Sequence, residues 1–499
     1  MARRRRKVAA RHGRAGHWQP QSRPLLGRGP VHYEVGSYTE ATNYGGIAAV
    51  HRLATRLGLP AQIDAALHLL KVHLPYHESD HVLNLAYNVV CGGTRLEDLE
   101  LRRGDLAYLN ALDAELLPDP TTAGDFCRRF SAADVIALQE AINAVRPQLW
   151  RRRAQELLGP IAYLDVDGTI VPTEGERKIG MDLSYKGVWG YAPLIVSLAN
   201  TKEPLYLINR PGNAPSHTDA ARWIDAAIAW VQPHAPRVCL RGDTDFSLTT
   251  HFDRWAEQVD FVFGMDCNQA LRTRAEGLDE TAWQRLERPP AYATLTAQPR
   301  DRERCQPQEK ARIVKERGYL NLVLQEEEVA EFNYQPRACQ RPYRVVALRK
   351  NISHEKGEQV LFEDVRFFFY ITTRTDLTAA EVVFCANDRC DQENVIEQLK
   401  NGVRALRVPL YDLVSNNAYM VIAALAWSLK AWLALMMHRL SDRRRYLRME
   451  FPRFLHSVIL IPCRVVRRAR SITLQLLGYR PTVEQLFSAW QTIERMRFG

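Results

Sequence analysis

The segment Tyr163-Leu164-Asp165-Val166-Asp167-Gly168-Thr169 sets the tightest limit on this chain. It lies within Ile161 to Ile170, which reads as a buried strand ending in polar residues. Side chains alternate along a strand, so Asp165 and Asp167 share one face and Leu164 and Val166 the other. Two carboxylates a few ångströms apart on an apolar strand repel each other unless a proton or a cation lies between them. Divalent magnesium meets that need and also binds phosphate oxygens.

The surroundings repeat the theme. Apolar runs at Ala192 to Ala199 and Leu205 to Ile208, joined by the short turn Asn200 to Glu203, predict a hairpin. Thr218 to Val231 predicts a helix, with Ala221, Ile224, Ile228 and Val231 in one stripe. A strand at Val238 to Leu240 runs into Arg241-Gly242-Asp243-Thr244-Asp245, and Val259 to Gly264 reads as the next. Loops beyond the carboxyl ends of such strands are where open α/β sheets keep their ligands, which marks Asp243. Steps of four, four and three put Arg389, Glu393, Glu397 and Lys400 on one face of a predicted helix, while Ile396, Leu399 and Val403 form its buried stripe. Taken alone, that face is an ordinary solvated one.

In-line phosphoryl transfer needs an activated attacking oxygen and a stabilised leaving oxygen. Three carboxylates from separate elements, holding two magnesium ions about 3.5–4 Å apart, meet both needs. A strand aspartate (Asp165 or Asp167), Asp243 beyond a neighbouring strand and a glutamate on the predicted helix could supply them, with Arg389 and Lys400 able to hold phosphates. Manganese is expected to substitute for magnesium.

Net charge favours an anionic partner. The chain carries +10 over 499 residues, and its start is basic, with Arg3, Arg4, Arg5, Arg6 and Lys7 and no acid before Glu34. An extended basic arm settles along phosphate by displacing counterions. No apolar core follows these arginines, so no secretory signal is expected. Further basic candidates for DNA contact are Arg128 and Arg129 on a helix, and Arg464, Arg467 and Arg468 near the end. Nine scattered cysteines without a CxxC pair predict free thiols. Leu413 to Leu429 is uncharged but shorter than the roughly 20 residues a membrane span needs, so a buried helix is expected. Isolated histidines are read as capping or packing groups, and Trp189 and Trp283 as core residues.

Leu164-Asp165-Val166-Asp167-Gly168-Thr169, Arg210-Pro211-Gly212-Asn213 with Ser216, Arg241-Gly242-Asp243, and the spacing of Arg389, Glu393 and Lys400 together resemble the DDE transposases of bacterial insertion sequences, in particular the group numbered 1380. Ala386 stands where that family has a tyrosine, and Asp245 where a small residue is common. The resemblance implies an α/β fold with a ribonuclease-H-like catalytic core, in which Asp167, Asp243 and Glu393 are the catalytic, metal-binding carboxylates and Asp165, Arg389 and Lys400 support them. Its parts are a basic arm (1–45), a helical DNA-end-binding region (46–155), the first part of the core (156–267), a mainly β insertion (268–372), the second part with the glutamate helix (373–440), and a basic helical C-terminal region (441–499). It also implies cut-and-paste transposition: cleavage at terminal inverted repeats of double-stranded DNA and joining of 3′ hydroxyls to target DNA. The working form would be a homodimer in a synaptic complex, in the bacterial cytoplasm and at the nucleoid, without a membrane.

Three other readings compete. Asp165-Val166-Asp167-Gly168-Thr169 also fits a haloacid-dehalogenase-like phosphatase with Asp165 as nucleophile, but the helix with Arg389, Glu393 and Lys400 then has no role. A metal-dependent nuclease that does not transpose uses the same carboxylates. A non-enzymatic DNA-binding protein explains the basic ends and none of the acids.

Overall fold

The computed structural model describes residues 6–7, 9–10, 33, 40–73, 75–288, 309–468, 471–477 and 482–496. Alternation along Ile161–Gly168 (β1) places Ala162, Leu164 and Val166 in one hydrophobic cluster, with Tyr163, Asp165 and Asp167 on the opposite face. β1 pairs antiparallel with Leu194–Leu198 (β2), and β2 with Glu203–Ile208 (β3), through the expected hairpin. On its other edge β1 pairs parallel with Arg237–Gly242 (β4), and β4 with Asp260–Met265 (β5).

The expected β insertion is not separate from this sheet. Gln284–Arg285 (β6), Leu320–Tyr334 (β7), Tyr343–Lys356 (β8) and Gln359–Thr372 (β9) continue it, because Phe369–Thr372 of β9 pairs with Val262–Met265 of β5. The nine strands run β6-β7-β8-β9-β5-β4-β1-β2-β3. The ends of β8 and β9 nearest β5 are buried at Val345, Val346, Ala347, Leu348, Phe369 and Ile371, which anchors the addition to the core. Leu320, Leu322, Leu324, Val360, Leu361 and Phe362 at the far end are exposed.

Helices cover both faces of the sheet. The segment from residue 46 to 158 is helical and includes Ile47–Arg56 (α1), Leu59–Ala66 (α2), Glu78–Val90 (α3) and Ala132–Leu149 (α4). A capping box sets the start of α4, where Ser131 and Asp134 satisfy each other's backbone amides. Ala220–Val231 (α5) packs on β1 and β2 with the stripe read from its sequence, and Ala379–Asp388 (α6) packs on the opposite face. Asp391–Glu397 (α7) follows α6 directly.

Leu413–Leu435 (α8) is long and apolar enough to cross a membrane, yet it lies wholly inside the protein against α3, α4 and β3. It runs past the expected charge break. Lys430 is buried, donates to the Leu447 carbonyl at 2.7 Å and sits 3.9 Å above the Trp427 ring. Glu203 ties these layers together by accepting from Arg146, Trp150 and Trp432 in a fully buried cluster.

Both ends differ from expectation. Ala41–Thr42, assigned to the arm, pairs with Cys463–Arg468, and that strand pairs with Ser471–Leu476. The C-terminal region is helical at Leu440–Arg448, Phe451–Phe454 and Val483–Arg495 (α9), with a β-hairpin inserted between the last two. The reason is visible in Cys463–Arg468, where buried Cys463 and Val465 alternate with exposed Arg464 and half-buried Val466. Eight cysteines are free thiols among the described residues, and Cys305 lies outside them.

Candidate active site

β1 carries two aspartates on one face, and the structure treats them differently. Asp165 is 1% exposed and receives a two-pronged ion pair from Arg241, at 2.7 Å (Nε to Oδ1) and 2.9 Å (Nη2 to Oδ2). Burial opposes the Arg241 charge, but Asp165 more than offsets it and holds the guanidinium above its usual range. Neither oxygen of Asp165 is left facing solvent. Asp167, two residues closer to the strand end, retains 16% side-chain exposure and takes a single contact from Arg389, Nη1 to Oδ2 at 3.2 Å. Its other oxygen accepts from the Gly168 amide at 2.8 Å. Burial pushes the Asp167 carboxyl up to about 6, Arg389 opposes the rise, and Asp243 and Glu393 add to it.

Asp243 stands where β4 ends, capping the short turn Thr244–Phe246 through the Asp245 amide at 3.1 Å. Burial raises its carboxyl, Arg389 opposes, and Asp245 and Asp266 contribute further repulsion. Each residue of Arg241-Gly242-Asp243 has its own task. Arg241 holds Asp165. Gly242 leaves room for the strand to bend, since a Cβ there would meet Phe246 Cβ at 2.9 Å and Phe263 Cε1 at 3.0 Å. Asp243 then faces the site.

Glu393 is exposed on α7. The single helix expected from 389 to 402 is broken: Arg389 closes α6, α7 begins at Asp391, and Gln398–Gly402 winds as a π-turn carrying Lys400. Arg389 is therefore not one turn along from Glu393 on a shared straight face. Burial raises the carboxyls of Asp165, Asp167 and Asp243, and Arg389, at the junction, opposes that rise in all three. α7 is fixed from beneath by residues that the sequence did not single out. Gln392 is buried against β2, bonding Ser197 and donating to the Ile195 carbonyl at 3.3 Å, and Asp391 pairs with Lys202 in the hairpin turn. A polar Gln392 beside the apolar stripe was the only available sign.

A cavity of about 380 Å³ opens beside Asp167, lined by Gly168, Thr169, Lys186, Arg210, Ser216 and Lys400. Arg210 is 7% exposed and ties its loop by donating to the carbonyls of Ala192, Ser216 and Thr218, while its Nη2 has no partner. Burial lowers Lys400, partly offset by Glu397 and Asp167. Tyr185 is exposed on the cavity wall, and Trp189, expected in the core, is 55% exposed at the start of the short strand Trp189–Tyr191. Trp283 is buried as expected, beneath Arg349.

Arg128 and Arg129 are exposed at the end of the helix Pro120–Arg128. Arg464, Arg467 and Arg468 are exposed on the C-terminal hairpin, with Arg467 reaching Asn110 at 3.1 Å. Arg6 and Lys7 are exposed, and Arg3, Arg4 and Arg5 lie outside the described residues. Among the described residues, the trio whose ligand atoms all lie within 4.8 Å of one another is His73, His77 and Glu78, a cluster that can chelate a divalent metal. The acidic set around Arg389 is more open.

The fold is thus a mixed α/β architecture with a large central sheet and flanking helices, and it gathers acidic side chains from separate elements around one arginine and a basic cavity. A family model described as "Transposase DDE domain group 1" matches residues 39–498, and the chain belongs to that family. Among solved structures it is similar to the piggyBac transposase in a synaptic complex with hairpin DNA, at 10% identity over 85% of this chain and 83% of that chain, with a TM-score of 0.33. No curated protein matches the chain.

Proposed function

We propose that this chain is a cut-and-paste DNA transposase of the insertion-sequence group numbered 1380, with a ribonuclease-H-like core and Asp167, Asp243 and Glu393 as its catalytic carboxylates. What supports this reading is that Arg389 contacts Asp167 and its charge acts on Asp243, while Asp243 after β4 and Glu393 on α7 both act on the Asp167 carboxyl. The order β3-β2-β1-β4-β5, with antiparallel β1 to β3 and parallel β4 and β5, supports the ribonuclease-H-like core.

The donor set fits hard divalent cations. It is all carboxylate oxygen, and a single arginine contact leaves the Asp167 carboxyl raised by burial and by its acidic neighbours. Asp167, Asp243 and Glu393 would hold two magnesium ions, with manganese able to replace them. The chemistry supplied there, when the ions are bound, is polarisation of the scissile phosphate and activation of the attacking hydroxyl.

The protein's own groups do the positioning. Lys400, Lys186 and the unpartnered Nη2 of Arg210 offer the adjoining cavity to backbone phosphates, and Arg389 neutralises acids before DNA arrives. The basic residues Arg128, Arg129, Arg464, Arg467 and Arg468, with the N-terminal Arg3, Arg4, Arg5, Arg6 and Lys7, would bind inverted-repeat and target DNA, in a homodimeric synaptic complex acting at the bacterial nucleoid. Asp165 and Arg241 serve as a positioning pair. The phosphatase reading finds no nucleophile, since both Asp165 oxygens are engaged by Arg241 away from solvent.

The test is strand cleavage and joining on the DNA flanking the gene, with magnesium or manganese, comparing wild type with Glu393→Gln. Metal-dependent nicking at a repeat end in the wild type is expected to fall at least about a hundredfold in the variant, with DNA binding retained. Undiminished cleavage by Glu393→Gln would sink the three-carboxylate assignment.

A further inference from the structure

The connection between α2 and α3 holds a donor set of a different chemical kind. His73, His77 and Glu78 each turn one ligand atom toward the others, all within 4.8 Å. The two imidazoles stack with centroids 4.4 Å apart and planes inclined by 22°. Glu78 opens α3 and is 1% exposed. Its Oε1 accepts from the amides of Leu69 and Leu70, at 2.9 and 3.0 Å. Those bonds orient the carboxylate and leave Oε2 pointing at His73 Nε2, 3.0 Å away. His77 is fixed at the N-cap, where its backbone amide donates to Asp80 at 2.9 Å. A buried carboxylate, aligned by two amides and aimed at one of two stacked imidazoles, is a preorganised set rather than a chance surface cluster.

We propose that His73, His77 and Glu78 bind a divalent transition ion of the zinc class, at a site chemically distinct from the carboxylate centre. Imidazole nitrogen selects zinc, nickel or copper, whereas the all-oxygen set of Asp167, Asp243 and Glu393 suits magnesium and manganese. Three protein donors leave a fourth position of a tetrahedral zinc for water. The ion would pin the residue 67–77 connection onto the start of α3, a stabilising clamp in the helical region. Sequence reading missed it because His73 and His77 stand four apart outside any helix, where spacing carries no message.

The site is tested on the full-length protein, stripped with a chelator and then equilibrated with micromolar zinc chloride in millimolar magnesium chloride. Metal content is measured after gel filtration. One zinc per chain is expected in the wild type and equally in Asp167→Asn, but none in the double variant His73→Ala, His77→Ala. Because both rings are exposed, the double variant should keep the wild-type circular dichroism. His73→Gln, which preserves a hydrogen bond to Glu78, is expected to weaken zinc by more than the roughly 10–100-fold typical of changes outside the ligand shell. Cobalt(II) in place of zinc should give visible absorption that is lost in the double variant. Zinc displaced by millimolar magnesium, zinc retained by the double variant, or zinc lost in Asp167→Asn would each overturn the proposal. The assay uses no DNA and reads no cleavage, so its result and that of the Glu393→Gln test fail independently.

Discussion

Asp165 and Asp167 face the same way from one strand, yet one belongs to the interior and the other to the lip of the site. At the interior end, Arg241 spends two hydrogen bonds on one carboxylate, and every charge has a partner. At the lip, Arg389 makes one contact of 3.2 Å with Asp167 while its charge is shared with Asp243. Satisfied charges hold an element in place. An under-compensated cluster stays available for a cation that brings its own positive charge. Two identical residues thus differ by their donors: Asp165 takes both bonds from one guanidinium, Asp167 one from Arg389 and one from a backbone amide.

The comparison breaks most sharply on stability. Asp165→Asn leaves Arg241 buried without its counter-charge and should cost about 3–5 kcal/mol, measured by urea unfolding. The paired change Asp165→Leu with Arg241→Met should recover most of that loss. If Asp165→Asn unfolds at the wild-type denaturant midpoint, the interior pair is not the strut described above.

At the lip the sign reverses. The folded Asp167 carboxyl lies near 6 against an ordinary 3.8, so the native state binds more protons than the unfolded chain between those values. Stability therefore falls as pH rises through that window. Asp167→Asn cannot ionise, and it should be more stable than wild type by about 1–3 kcal/mol at pH 8, with the gap closing towards pH 4. Magnesium should raise the wild-type melting temperature at pH 8 and leave the variant unchanged. A variant destabilised at pH 8 would place Asp167 with Asp165, among the structural acids.

The shared face of Asp165 and Asp167 was legible because strand periodicity is fixed by the backbone. Their difference was not, since it depends on Arg241, whose place beside Asp165 comes from the parallel pairing of β1 and β4. The break at Arg389 was hidden because apolar and charged residues keep helical spacing straight through it. The sheet's extension through β9 was obscured for a physical reason as well. Burial of β8 and β9 is concentrated at the ends nearest β5, so the outer stretches lack the continuous apolar run of a core strand.

Between interior and lip lies Gln392, which joins α7 to β2. Gln392→Ala removes buried hydrogen bonds worth about 0.5–1.5 kcal/mol each, and should slow cleavage while leaving DNA affinity unchanged. A loss confined to affinity would remove it from the positioning role.

The smallest effects should come from the exposed arginines, where contrast with the lip is one of kind. A phosphate contact contributes by counterion release, so it appears as a salt slope rather than as a lost reaction step. Replacing Arg128 and Arg129 with alanine should flatten the plot of log affinity against log salt by about 0.9 per lost contact, with the metal-dependent step intact once DNA is bound. The same change at Arg464 and Arg468 should flatten it similarly. Arg467 should give less, because its guanidinium already serves Asn110, and freeing that side chain also loosens the hairpin that seals Ala41–Thr42 to the fold. An unaltered slope in both sets, with cleavage retained, would move the DNA path off these surfaces and onto the cavity lined by Lys186, Arg210 and Lys400.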